Sequence, residues 1–273
     1  MTAPAGGDPG ARPPGWQALP VRWVLGVPVR ATTEDRMVEL CDEVIRAGSR
    51  LAIGVVNAAK MVRMRSDPLL RESVLGSDVV LADGMSVVWA SRLLGQPLPA
   101  RVNGTNLFEK LLALAEARGY PVYFLGATQD VLDAMLERIT ARHPRLRIAG
   151  AQHGYFRDED GEGVAEAVAA AKPDMLFLGM TSPKKEVFMA RHGPRMQVPI
   201  CHGVGGSFDV LAGVVPRAPV SWQNAGLEWL FRLLQEPRRM WKRYLVTNSL
   251  FTFWVGREWL GRLLRRPVSA DRR

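Results

Sequence analysis

From about residue 50 onward, short apolar runs alternate with stretches of helical period. The runs LAIGVV (51–56), DVVLAD (78–83), PVYFLG (121–126), LRIAG (146–150), DMLFLG (174–179) and VPICHGVG (198–205) have strand length. Amphipathic segments lie around 34–47, 105–118, 129–142, 162–172 and 183–193. Strands separated by helices predict crossover connections, and so an α/β fold with a mostly parallel sheet covered by helices on both faces. Near Arg217 the alternation stops, and the chain becomes helical in pattern and rich in Trp and Arg. The expected organisation is a flexible extension over 1–20, an α/β core over 21–216 and a helical appendage over 217–273. The extension is rich in Pro and Gly and lacks the apolar core of a signal peptide.

Charge adds a partner to this picture. Of the net charge of +9, the segment 217–273 carries 12 basic and 4 acidic residues, whereas 1–216 carries 24 and 23. A neutral body with a basic tail points to a polyanion or an anionic membrane surface. Nucleic acid fits poorly, since neither a recognition motif nor a series of stacking aromatics accompanies the charge. The longest uncharged stretch near the end, Tyr244 to Gly256, has 13 residues. A bilayer span needs about 20, so contact with a membrane is expected rather than a crossing. Two cysteines, Cys41 and Cys201, cannot build a disulfide framework, and a reducing compartment is the expected home.

In an open α/β sheet, ligands bind outside the carboxyl ends of the strands. That rule selects Asn57, Asp83-Gly84, Gly126 to Thr128, Gly154-Tyr155, Gly179 to Pro183 and Gly203 to Gly206. Glycines at successive strand ends favour a nucleotide or phosphorylated ligand, because a bare backbone and helix N-termini can approach phosphate closely. Asp83 is placed either to act as a general base or to cap the helix that follows. Arg101 and Lys185, at loop–helix junctions, are either exposed basic residues or the cations that a departing diphosphate needs. Asp158-Glu159-Asp160 resembles a metal-holding acidic motif, but its polar surroundings read as a solvated loop before a helix. GVGGSF (203–208) has neither the spacing nor the position of a dinucleotide fingerprint, and the four histidines show no metal-ligand spacing. In the appendage, Arg232, Arg239 and Arg243 fall within about 40° on an uninterrupted helix. Trp229, Trp241 and Trp254 are candidate interfacial anchors. Pro237 is expected to break that helix, and Glu228 and Glu236 are spaced to pair with Arg232.

The segments VNAAKMV, VVLADGMSVV, RVNGTNL, YFLGAT, GYF, FLGMTSPKKE, GVGGSFDVLAG, RAP and GLEWLFRLLQEPRRMWKRY, in that order between about residues 24 and 245, resemble the WecG/TagA/CpsF family of bacterial glycosyltransferases. The resemblance implies a Rossmann-like fold and an inverting, metal-independent transferase without a cofactor. Such an enzyme passes N-acetylmannosamine, a related uronic acid or a similar sugar from a UDP-sugar to a polyprenyl-diphosphate-linked sugar. It works as a peripheral protein at the inner face of the cytoplasmic membrane, in the synthesis of teichoic acid linkage units, common antigen or exopolysaccharide. By the same resemblance Asp83 is the base, Asn57 a substrate-positioning residue and Arg101 the site arginine. Tyr155 and Asp209 are implied to hold the uridine beside the strand-end glycines Gly126, Gly179 and Gly206. Arg232, Arg239 and Lys242 are implied to engage diphosphate. Departures from the family pattern fall at Val55 (usually Thr), Lys185 (usually Gln), Asn106 (usually acidic) and Lys242 (usually Arg). Lys185 is suited to pair with a phosphate or with the carboxylate of a uronic acid. The oligomeric state, a homo-oligomer included, stays open, and a non-catalytic membrane-associated homologue is the alternative reading.

Overall fold

A computed structural model of the chain describes residues 15–224 and 226–264; the side chains of Val220, Asn224, Arg239 and Arg243 are outside the described set. The chain opens with a hairpin, β1 (Val21–Val24) and β2 (Val27–Arg30), followed by α1 (Glu34–Arg46), β3 (Leu51–Val56), α2 (Ala58–Arg63), α3 (Pro68–Leu75) and β4 (Val79–Ala82). Next come α4 (Met85–Leu93), α5 (Gly104–Arg118), β5 (Val122–Gly126), α6 (Gln129–Arg142), β6 (Ile148–Gln152) and α7 (Gly161–Ala171). The rest comprises β7 (Met175–Gly179), α8 (Lys184–Met196), β8 (Ile200–Gly203), α9 (Ser207–Leu211), α10 (Val220–Asn224), α11 (Glu228–Gln235) and α12 (Pro237–Leu264).

Six strands form one sheet in the order β4-β3-β8-β7-β5-β6, every neighbouring pair parallel. This is the Rossmann-like α/β arrangement that the alternating pattern predicts. Period-two alternation carries the layering: Ile53, Val79, Leu81, Phe124, Phe177 and Ile200 face α1, α5 and α6, while Val56, Val80, Leu125, Leu176 and Cys201 face the opposite side. Both sides are apolar, which is why these strands read as continuous hydrophobic runs.

The hairpin and the short helices α2 and α3 have no counterpart in the apolar pattern. The hairpin turns through Leu25 (φ 51°) and Gly26 (φ 75°), a two-residue loop with both φ positive that suits the twist of paired strands. The fourth run is displaced: a strand expected over 146–150 forms at Ile148–Gln152. As the outermost strand it is only partly covered, so hydrophobicity alone locates it poorly. Within the segment expected as an extension, Gly15–Ala18 forms a 3-10 turn, and Trp16 and Leu19 pack on the α1 side of the core. Residues 1–14 lie outside the described residues.

Phe108, Phe124, Phe177 and Phe208 form an aromatic nest with centroid separations from 4.6 to 6.3 Å. It explains two strand-end glycines. A Cβ at Gly179 would lie 2.3 Å from the Phe208 ring, and a Cβ at its register partner Gly126 (φ 152°) would lie 2.4 Å from the Gly179 backbone. Gly179→Ala is therefore expected to destabilise the fold by about 1–3 kcal/mol through displacement of Phe208. A lowered denaturation midpoint with an unchanged m value would register that loss.

Candidate active site

Asp83 follows β4 at the carboxyl edge of the sheet, anchored by its backbone N–H to the Val56 carbonyl at 2.9 Å. The helix after it is capped by Gly84 with no side-chain bond, so the alternative of Asp83 as cap of α4 does not hold. Its carboxylate reaches across instead: Gly104 N–H, the first residue of α5, donates to Asp83 Oδ1 at 2.9 Å. An anion at a helix start is favoured by the free N–H groups and the helix dipole. Asn103 completes that terminus by accepting from the Thr105 and Asn106 amides at 2.9 and 3.0 Å.

Asn57 follows β3, beside Asp83, and its side chain caps α2 by accepting from Lys60 N–H at 3.0 Å. On the next strand, β8, His202 is fully buried, its Nε2 lies 3.4 Å from the Gly104 carbonyl, and its Nδ1 has no partner. Burial holds His202 down to about 4, so it is neutral at pH 7. Thr105 and Ser207 share a 2.8 Å hydroxyl contact that ties the start of α5 to the start of α9.

Lys185 lies in the first turn of α8 and runs beneath the turn that follows β8. It is 8% exposed, and its Nζ stands 3.1 Å from Glu186 Oε1. Lys60 Nζ donates to the same Oε1 at 2.7 Å and to the Val55 carbonyl at 2.7 Å. Burial would raise the Glu186 carboxyl, but the Lys60 and Lys185 ammoniums outweigh it and hold the group down to about 2. Burial and the Lys60 charge push Lys185 down to about 8, against the pull of Glu186 and Asp83. Sequence reasoning singled out neither Lys60 nor Glu186. Their pairing spans 126 residues and joins α2 to α8, so no local pattern announces it.

Arg101 is occupied: its Nη1 donates to Glu228 Oε2 at 2.7 Å, and Asn103 Nδ2 joins the same oxygen at 3.2 Å. Glu228, spaced to pair with Arg232, thus fastens α11 to the body through Arg101. Arg232 is exposed and lines a cleft between α11 and the body together with Asn103, Thr105, Arg217, Glu228 and Phe231. That cleft reaches the helix terminus that holds Asp83. Asn106 accepts a short bond from Arg217 and donates to Glu34 Oε1 at 3.2 Å.

The remaining expected residues are more scattered. Tyr155, just past β6, is 72% exposed, and Asp209 lies in α9 beyond β8, so three strand spacings, about 14 Å, separate their strands. Gly206 is exposed, with a Cβ there in ordinary contact with Asp209. Gly126 and Gly179, read from sequence as room for a phosphate, are accounted for by the packing described above. Lys242 is exposed on α12, and the Arg239 side chain lies outside the described residues. The arc expected of Arg232, Arg239 and Arg243 was drawn for an uninterrupted helix, whereas Pro237 begins a new helix after α11 has ended, and the Arg239 and Arg243 side chains lie outside the described residues. Trp254 is turned inward, packed on the hairpin side of the core with the Arg65 guanidinium 4.1 Å above it. Glu159 and Asp160 pair with Arg157, as in a solvated turn. Among the described residues no three His, Cys, Asp or Glu side chains are grouped to hold a metal ion. A cavity of about 340 Å³ lies at the opposite, amino edge of β7 and β8, away from all of these groups.

Asp83, Asn57, Lys185 and His202 thus converge at the carboxyl edge of β4, β3 and β8, with the Lys60–Glu186 pair and the appendage cleft beside them. The chain is 40% identical over 182 residues to the N-acetylglucosaminyldiphosphoundecaprenol N-acetyl-beta-D-mannosaminyltransferase of Bacillus spizizenii, an alignment covering 66% of this chain and 70% of that protein. The family described as glycosyl transferase WecG/TagA/CpsF matches residues 22–265, nearly the whole described structure. The chain belongs to the WecG/TagA/CpsF family of glycosyltransferases.

Proposed function

We propose that this glycosyltransferase moves an N-acetylmannosamine-type sugar, or the related uronic acid, from UDP to a polyprenyl-diphosphate-linked N-acetylglucosamine, with inversion and without a metal. The named activity of the Bacillus relative supports the acceptor and the sugar class. The observation that carries the reading is the position of Asp83: a carboxylate at a strand end, held by the N-terminus of α5, whose residues Asn103 and Thr105 line the cleft that the appendage completes. Asp83 takes the proton of the acceptor hydroxyl as its oxygen bonds to the anomeric carbon. The bond from that carbon to the diphosphate breaks on the far face, and UDP leaves with the electron pair. Asn57 orients the reacting groups, Tyr155 and Asp209 hold the uridine, and cations of the protein neutralise the departing diphosphate.

Membrane attachment fits α12. One side of it is buried through Met240, Phe251 and Val255, yet Trp241, Leu245, Phe253, Trp259, Leu260 and Leu263 are exposed on another. Apolar residues among the basic charges Lys242 and Arg257 suit the headgroup region of an anionic cytoplasmic leaflet. No described helix is long and apolar enough to cross a bilayer.

The test is UDP release from a panel of UDP-sugars, with lipid-diphosphate N-acetylglucosamine in vesicles as acceptor. Release that requires the acceptor is expected, and the donor that gives it names the sugar. No release from any donor, with UDP still bound, would favour the non-catalytic homologue.

A further inference from the structure

Arg101, the cation expected to meet a leaving diphosphate, already spends its charge on Glu228 at 2.7 Å. The surplus charge lies elsewhere. Lys60 matches Glu186 one to one at 2.7 Å, so Lys185, 3.1 Å from the same oxygen, is a second ammonium on a carboxylate already neutralised. The fold makes room for it. A Cβ at Gly203 would lie 3.2 Å from the Lys185 stem, and one at Gly205 would lie 3.4 Å from Nζ. A side chain at Gly203 would crowd the groove that brings the ammonium to the carboxyl edge of the sheet, and one at Gly205 would touch the ammonium itself. The other titratable groups facing it are His202 on β8, which is neutral, and Asp83, whose Oδ1 is held by Gly104 N–H. Asp83 balances the cluster only while ionised.

We propose that Lys185 is an oxyanion subsite for the donor, taking either the diphosphate or a sugar carboxylate, and that Lys60 and Glu186 are the positioning pair that leaves its charge unspent. This rests on the reading of the protein as a UDP-sugar transferase. It gives the step a built-in counter-charge. When Asp83 takes the acceptor proton it becomes neutral, and the single positive charge in excess on the Lys60–Glu186–Lys185 cluster is left unbalanced as the carbon–oxygen bond breaks and UDP departs with the bonding pair.

The experiment is calorimetric binding of UDP, a UDP-N-acetylhexosamine and its C6-carboxylate to the full chain and to Lys185→Gln, at pH 7 and pH 9. The variant keeps Lys60 and Glu186 matched one to one, so it is expected to fold. Loss of one charge-assisted contact weakens binding roughly ten- to hundredfold. An equal loss for all three ligands identifies the diphosphate as the occupant, and a loss confined to the carboxylate ligand identifies the uronic acid. In the wild type, moving from pH 7 to pH 9 weakens the same ligands roughly tenfold, because burial leaves Lys185 titrating near 8. The variant lacks that pH dependence. Unchanged affinities in Lys185→Gln for all three ligands would overturn the subsite. Failure of the wild type to bind UDP at all would sink the donor reading and the subsite with it. Should the variant not fold, the wild-type pH dependence decides alone, and its absence counts against the proposal.

Discussion

Asp83→Asn is expected to lower kcat by about 10²- to 10⁴-fold, the usual worth of a positioned general base, while UDP affinity does not fall. The amide is the same size as the carboxylate and keeps an oxygen to accept from Gly104 N–H, so the start of α5 stays closed. What it loses is the capacity to take a proton. Asp83→Ala would be a poorer control, since it strands the Gly104 N–H and mixes a folding cost of about 1–3 kcal/mol into the kinetics. Acceptor-dependent UDP release in vesicles, run beside calorimetric UDP binding, separates the two effects. Loss of UDP binding in Asp83→Asn would move this residue from proton transfer to donor binding, and unimpaired turnover would remove it from the chemistry.

The largest effect on stability is expected at Glu186. Glu186→Gln leaves Lys60 and Lys185 buried together without the carboxylate that both contact, and breaking a buried ion pair from one side costs about 3–5 kcal/mol. For a chain of this size the melting temperature should fall by roughly 10 °C. Lys60→Met should cost less, because Glu186 retains Lys185. Lys185→Gln should be the mildest of the three, because it removes the surplus charge and the repulsion from Lys60. Thermal denaturation of the series tests this order, and a Glu186→Gln protein as stable as the wild type would rule the ion cluster out. The pH dependence has a definite sign for each group. The Glu186 contribution is present above the ordinary glutamate value and is lost as pH falls toward about 2. For Lys185 the unfolded chain holds the proton between about pH 8 and its ordinary value of 10.5 while the folded chain has released it, so this group makes stability rise with pH in that window.

The places where expectation and structure part share a physical cause. The β3, β4, β5 and β7 runs were readable because both faces of those strands are buried, and burial on both faces writes an unbroken apolar run. The outer strand β6 and the β1–β2 hairpin are less enclosed or depend on turn geometry, so the same signal is weak or absent. Pro237 was legible as a helix boundary because its ring forbids the bond whatever the context. The partner of Glu228 was not. Spacing along a helix offers Arg232, while the fold supplies Arg101 from 127 residues away.

The sequence by itself determined the layered α/β sheet, the strand ends at which chemistry is to be sought, the basic appendage and the resemblance that the family match bears out. Each of these follows from local periodicity, from charge counting or from the order of short motifs. Only the tertiary structure decided which charges are spent and which are left over: Arg101 on Glu228, Lys60 on Glu186, and Lys185 in surplus beneath a glycine turn. It also turned two glycines from expected room for phosphate into room for a phenylalanine ring and a neighbouring strand. Pairing and close packing depend on distances between residues remote in the chain, and a one-dimensional pattern does not carry those distances.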